Sequence, residues 1–361
     1  MKKVLFTIGA LTGGGAERVV SVWSGILADR GYSVAIHVAF RCDGEYPVNE
    51  RVEIHSTAES RDEYFKLSPI KRMSIKRKCI KDWRPDVIIN FLPSNQIRML
   101  FISAGIKARK IETVRLSPWK TEISKSQIAL WKLCFKKSDA IIVQTERQSE
   151  FFGKKERAKC TVIRNPLSRV YIDSRRETYA DTAVRFIASG RLCKQKNYPM
   201  MIKAFAAAAK QYPNITLDIF GAGSESYVAE LQACIDSYSM SDRIVLRGRT
   251  NDMCTALMSA DAFLMSSDYE GMPNSLAEAM ATGLPCVSTN CDTGPSDMIE
   301  SGVNGYLCNV GDADDMKEKI LNIISLDKCA REAMGNRARS TILDLCDNEK
   351  NISKLICVIE G

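Results

Sequence analysis

Histidine is nearly missing from this chain: His37 and His55 are the only two among 361 residues. So few imidazoles argue against a histidine-built metal centre and against a Ser-His-Asp hydrolase. No apolar run approaches the ~20 residues that a membrane-spanning helix needs. Cysteine is plentiful, at thirteen, but the number is odd and no C-x-x-C pair occurs. That usage points to free thiols in a reducing, cytoplasmic compartment. The opening stretch from Met1 to Gly9 has a basic start and only a short apolar run, so it reads as a first strand and not as a signal peptide. Hydrophobic residues at 45% and charged residues at 26% describe an ordinary globular chain, long enough for two domains.

Charge is unevenly spread. Residues 1–182 carry 34 Lys and Arg against 20 Asp and Glu, whereas residues 183–361 carry 17 against 23. A first half at +14 beside a second at −6 says that one half faces something anionic.

Apolar runs without alternation recur at Val4–Gly9, Val34–Ala39, Val87–Leu92, Ile111–Arg115, Ala140–Gln144 and Thr161–Ile163. Separated by helical patterns such as Glu17–Asp29, they predict a parallel sheet covered on both faces. Ser168–Thr182 lacks apolar periodicity and reads as a linker. The alternation then restarts with Arg185–Ser189, Thr216–Phe220, Ile244–Leu246, Ala262–Ser266 and Cys286–Thr289. The fold class is therefore α/β, with two Rossmann-like doubly wound domains. We expect a first domain over 1–170, a linker over 171–182 and a second domain over 183–345. A last helix over 346–361 is expected to pack back toward the first domain. Tandem units of this kind take ligands at the carboxyl ends of their strands.

Three motifs carry chemistry. Gly13-Gly14-Gly15-Ala16-Glu17-Arg18 joins strand to helix, where glycines let backbone approach an anion at the helix start. It is no dinucleotide fingerprint, because Arg18 stands where the last glycine belongs; a plain tight turn is the alternative. Gly190-Arg191-Leu192-Cys193-Lys194-Gln195-Lys196-Asn197 places three cations at a strand's carboxyl end, fit to clamp a pyrophosphate leaving group, or simply a solvated loop. Glu270-Gly271-Met272-Pro273-Asn274-Ser275-Leu276-Ala277-Glu278 brackets a helix start with two carboxylates that can accept hydrogen bonds from sugar hydroxyls. Ser275 with Glu278 could instead form a capping box, which would leave Glu270, Gly271 and Pro273 without a role.

In order and spacing these motifs resemble glycosyltransferase family 4, retaining enzymes of the GT-B fold. Val162-Ile163-Arg164-Asn165-Pro166, Gly221-Ala222-Gly223 and Thr293-Gly294-Pro295-Ser296 extend the resemblance over most of the chain. It implies that Arg191 and Lys196 bind and stabilise the donor's departing diphosphate. It further implies that Glu270 contacts donor-sugar hydroxyls and that Glu278 holds the ribose. Gly190 opens that loop, and the backbone of Gly271, Met272, Pro273 and Asn274 faces sugar and phosphate. Gly14 and Gly15 approach the phosphate, and the Leu246–Arg249 strand end, with Arg249, faces the base. Glu270, Arg191 and Lys196 are thus the expected catalytic residues, and no protein nucleophile is nominated. The co-substrate implied is a nucleotide-diphosphate sugar, UDP-linked, carrying a hexose or N-acetylhexosamine, with no separate cofactor and no metal.

Many members of that family carry a histidine on the loop after the fourth strand. Here that loop reads Glu112-Thr113-Val114-Arg115-Leu116-Ser117-Pro118. Arg115, with Ser117, is the substitute for binding an acceptor phosphate, a structural ion pair being the other reading of Arg115. Asp312-Ala313-Asp314 imitates a metal-binding D-x-D, but its place before a helix makes Asp312 an N-cap. His37 and His55 are read as structural.

Lys66–Arg84 holds eight cations against Asp82 alone, with Ile70, Met73, Ile80 and Trp83 spaced for one helix face. This basic amphipathic pattern predicts docking on an anionic membrane, on the cytoplasmic inner face. The acceptor expected is a lipid-linked sugar of a bacterial surface glycan, and no nucleic acid is expected as a partner. The competing functions are a nucleotide-sugar 2-epimerase of the same fold and a catalytically silent subunit of a transferase complex.

Overall fold

The computed structural model describes residues 1–120, 123–182 and 184–361. Residue 183, where the second domain is expected to begin, lies outside the described residues. The chain divides into two compact units, 1–166 with 348–361, and 167–347.

Among the described residues the first unit is built on seven strands: β1 (Lys3–Thr7), β2 (Ser33–Phe40), β3 (Glu53–Ala58), β4 (Val87–Asn90), β5 (Arg109–Thr113), β6 (Ala140–Val143) and β7 (Cys160–Val162). All pair parallel, in the order β3-β2-β1-β4-β5-β6-β7. Strand β4 is buried at every position, which is what a strand covered on both faces requires. On one face Val4, Phe6, Val20, Trp23 and Ile89 pack with the helices Gly15–Asp29 and Asn348–Glu360. Leu5, Ile88, Ile80, Trp83 and Met99 form a separate cluster.

Residues 348–361 thus belong to the first unit. Ile352, Leu355, Val358 and Ile359 are buried in its core. Arg109 Nε donates to the Val358 carbonyl at 2.9 Å, and the Asn351 side chain accepts from the Arg164 amide at 3.0 Å.

The second unit carries β8 (Arg185–Ser189), β9 (Thr216–Phe220), β10 (Ile244–Gly248), β11 (Ala262–Met265), β12 (Cys286–Thr289) and β13 (Tyr306–Cys308). They too are all parallel, in the order β10-β9-β8-β11-β12-β13. The expected linker is no loose tether. Residues 169–173 form a short helix, and Tyr171 is buried in this unit's core. Tyr179 donates to the Gly283 carbonyl at 2.8 Å, and Arg339 gathers the carbonyls of Tyr171, Ile172 and Ser174. Polar spacing hid this because the segment is held by backbone carbonyls taking side-chain donors, a pattern without apolar period.

The basic helix spans Pro69–Trp83, with Ser68 as N-cap. Its expected lipid-facing stripe turns inward instead. Ile80 and Trp83 are buried with Leu5, Ile88 and Met99, and Met73 packs on them. Only Ile70 of the four is exposed, at 81%. Lys76 is buried as well. The apolar spacing measures attachment to the sheet, as in any surface helix.

Candidate functional site

In the second unit the Gly190–Asn197 loop leaves β8, and residues 266–273 leave the neighbouring β11. Strand adjacency brings the two loops together, and side chains lock them. Lys196 Nζ lies 2.7 Å from Glu270 Oε1, both largely buried. Gln195 Nε2 donates to the Tyr269 carbonyl at 2.7 Å, and Asn197 Nδ2 to Asp268 Oδ1 at 2.8 Å. Ser266 Oγ donates to the Lys196 carbonyl at 2.7 Å. The Thr293 hydroxyl donates to the Glu270 carbonyl at 2.5 Å, so the β12 loop holds the carboxylate's backbone from the other side. Arg191 is exposed, with a 3.5 Å contact to Gln195 Oε1.

Close approach explains the glycines. A Cβ on Gly221 would strike the Gly190 carbonyl, because Leu192 and Gly223 form a parallel bridge there. A Cβ on Gly294, whose φ is +97°, would lie 2.5 Å from the Gly271 carbonyl oxygen and 2.7 Å from Pro273 Cδ. Arg249 is exposed just past β10, beyond a register shift at Leu246/Gly248. The Gly248 carbonyl accepts from Gly221 at 2.8 Å, tying that strand end to the same edge.

The helix after Glu270 begins at Asn274, with Pro273 as N-cap and no side-chain cap. The capping-box alternative is therefore not formed, and Ser275 Oγ is buried without a partner. Side chains supply no cap at this amino end, and the dipole of a helix start favours an anionic group there. Met272, Glu270 and Glu278 are buried along this stretch.

In the first unit Gly14 is the extended N-cap of the helix starting at Gly15, two residues earlier than expected, after Gly13 at φ +86°. Arg115 is buried at 8% exposure. Its Nη1 donates to Asn165 Oδ1 at 3.2 Å, while Nε and Nη2 have no partner. Among the described residues no carboxylate pairs with it, so the structural ion pair is not formed. It stacks instead over Trp23 and Phe91, 4.5 and 4.7 Å from the ring centroids, and burial alone pulls its pKa down to about 9. Ser117 is fully buried, its hydroxyl unpartnered. Gln144, which sequence reasoning missed, donates to Asn165 Oδ1 at 2.7 Å and leaves its own Oε1 unpartnered.

Asp312 caps its helix, Oδ1 accepting from Asp314 and Asp315 amides at 3.1 and 3.0 Å. Among the described residues no group of three or more His, Cys, Asp or Glu clusters as a metal site, and no helix is long and apolar enough to cross a membrane.

Comparison with known proteins bears on this geometry. Residues 172–341 match the family described as Glycosyl transferases group 1. The uncharacterized glycosyltransferase MJ1059 of Methanocaldococcus jannaschii is 29% identical over 262 residues, 65% of this chain and 62% of that protein. The chain thus spans less than two thirds of that relative's length. The lipopolysaccharide core biosynthesis glycosyltransferase LpsE of Rhizobium meliloti is 26% identical over 338 residues, 91% of each chain. Among solved structures, a variant of S. aureus TarM in complex with fondaparinux, alpha-GlcNAc-glycerol and UDP superposes with a TM-score of 0.83 at 15% identity, covering both chains completely. The chain thus has the GT-B fold of these structures, and its residues 172–341 match the group 1 glycosyl transferase family.

Proposed function

We propose that the protein is a retaining, family 4 glycosyltransferase that moves a hexose or N-acetylhexosamine from a UDP-sugar to a lipid-linked acceptor of a bacterial surface glycan. The observation that carries this reading is the Lys196–Glu270 pair beside exposed Arg191 and an amino end without a side-chain cap. In the transfer, the bond between the anomeric carbon and the diphosphate oxygen breaks, and its electron pair leaves with the nucleotide. Arg191 and Lys196 neutralise the charge that develops there. The Lys196 ammonium has three donors, so it serves a phosphate oxygen while still holding Glu270. Glu270 then accepts from sugar hydroxyls. The acceptor hydroxyl bonds to the anomeric carbon as UDP departs, and its proton passes to the leaving diphosphate oxygen.

Arg115, buried without a counter-charge, suits an anionic group on the acceptor. The names of relatives support the pathway class: LpsE is a lipopolysaccharide core enzyme, and the TarM structure holds UDP. Peripheral docking on the cytoplasmic face of the membrane rests on charge alone, since the apolar stripe is used inside. Unit 1 carries 33 Lys and Arg against 19 Asp and Glu.

The test is a panel of UDP- and GDP-sugars with lipid-linked acceptors, read by product mass, with anomeric configuration from proton couplings. UDP-sugar turnover with retention is expected. Inversion, or release of an epimerised sugar without acceptor, would overturn the reading.

A further inference from the structure

The first unit contains a cavity of ≈280 Å³ at the carboxyl ends of β1, β2 and β3, lined there by Gly9, Ala39 and Thr57. The helix Pro93–Ile102, which follows β4, adds Asn95, Arg98 and Ile102 to the cavity wall. Three cations also line the cavity, Arg72, Lys76 and Arg98, and no acidic residue does.

Two of the three are held in an unfinished state. Lys76 is buried, and its Nζ donates to Asn95 Oδ1 at 2.9 Å. An ammonium carries three donors, and among the described residues no carboxylate meets this one. Burial, and then Arg98, push its pKa down to about 7. Arg72 is fixed by its donation to the Phe65 carbonyl at 2.9 Å and by stacking 4.3 Å from the Tyr64 ring centroid. Its Nε is nonetheless buried without a partner. His37 lies on β2 two residues before the lining Ala39, with both ring nitrogens unpartnered and a pKa held well below the usual range by burial and then by Lys76.

A buried cation without a counter-ion is a cost that the fold does not recover internally. Three cations around one small cavity without an acid suit a dianion better than a carboxylate, and a phosphomonoester carries close to two charges near neutral pH. We propose that this cavity binds a phosphomonoester, held by Lys76 and Arg72 with Arg98 at its mouth. The site is built from first-unit residues alone, and it does not depend on which sugar is transferred. The phosphate can come from a soluble polyol or sugar phosphate or from a lipid headgroup.

Calorimetric titration of the full chain with inorganic phosphate, glycerol 3-phosphate and a short-chain phosphatidic acid tests this without any glycosyl transfer. Saturable binding is expected, at least tenfold weaker in Lys76→Met, whose melting temperature should equal or exceed the wild type's. Tighter binding of phosphatidic acid than of glycerol 3-phosphate assigns the lipid source, and the reverse order a soluble one. Absence of saturable binding by all three probes overturns the proposal, as does unchanged affinity in Lys76→Met. Should that variant fail to fold, Arg98→Gln at the exposed mouth decides: weaker binding supports the site, and wild-type affinity overturns it.

Discussion

The Lys196 ammonium and the Glu270 carboxylate stand 2.7 Å apart, joined across two loops whose backbones are independently pinned to each other. Removing one partner leaves the other buried and uncompensated. Glu270→Gln and Arg191→Ala are each expected to lower turnover by ~10²-fold or more, as loss of preorganised electrostatics does. Arg191 is exposed, so its variant should keep the wild-type melting temperature. Near-normal turnover by folded Arg191→Ala would remove the diphosphate clamp.

Metal dependence follows from the same cations. If Arg191 and Lys196 neutralise the leaving diphosphate, activity should persist after chelation. The check is initial rate in EDTA, with and without added Mg²⁺ or Mn²⁺. Complete loss that either metal restores would contradict the proposal.

Substituting Gly294 probes how tightly the Glu270 loop is held. A Cβ there meets the Gly271 carbonyl and Pro273 at a positive φ, so Gly294→Ala should cost on the order of 1–3 kcal/mol. Thermal unfolding reads the loss, and donor affinity should fall with it. A wild-type melting curve would show that the loop can shift freely.

Two buried groups of the first unit give stability an unusual pH profile. Asn90 links Thr7 to Glu112, and Asn95 links Thr7 to Lys76, with hydrogen bonds of 2.7–2.9 Å. Burial lowers Lys76 from 10.5 to about 7, so between those values the unfolded chain holds a proton that the folded chain lacks, and stability rises with pH. Burial raises Glu112 from 4.5 to about 8, so across that window the folded chain holds the extra proton, and stability falls with pH. Together they fall from 4.5 to 7, cancel from 7 to 8, and rise from 8 to 10.5. Urea midpoints against pH should show Glu112→Gln losing the falling limb relative to wild type, and Lys76→Met losing the rising one. Variant curves parallel to wild type would refute the assignment.

Vesicle docking is expected to be purely electrostatic. Lys78 and Lys81 are exposed on the Pro69–Trp83 helix, so their replacement by Glu should weaken co-sedimentation with phosphatidylglycerol vesicles. High salt should do the same, because the attraction is screened. Equal binding to phosphatidylcholine would exclude it.

Eleven of the thirteen strands among the described residues were legible as apolar runs, and the two that were not are instructive. β3 and β13 each close one edge of a sheet. β3 reads Glu-Ile-His-Ser-Thr-Ala with a single buried residue, and β13 has three residues. An edge strand has a neighbour on one side only and is shielded less, so it needs no continuous apolar sequence. The loops with Arg191, Lys196 and Glu270 were legible because glycine and charge cluster at strand ends. The part that Gln195, Asp268 and Thr293 play in holding those loops was not. Their work is bonding to backbone or to one another across distant segments, which leaves no local pattern. The helix Pro69–Trp83 was legible as a helix but misread in direction, since a stripe facing a sheet and one facing lipid have the same period.

The helix Asn348–Glu360 gives the chain a constraint in time. Its apolar side chains complete a core whose other members begin at Val4, yet the entire second unit is synthesised between them. The usual order, in which an amino-terminal domain folds first on the ribosome, is therefore unavailable to a finished first unit. While the second unit is being made, Val4, Ile111 and their neighbours wait with one flank uncovered. A nascent chain stalled before residue 348 would present that flank to chaperones, and residues 1–166 expressed alone would inherit the same exposed surface.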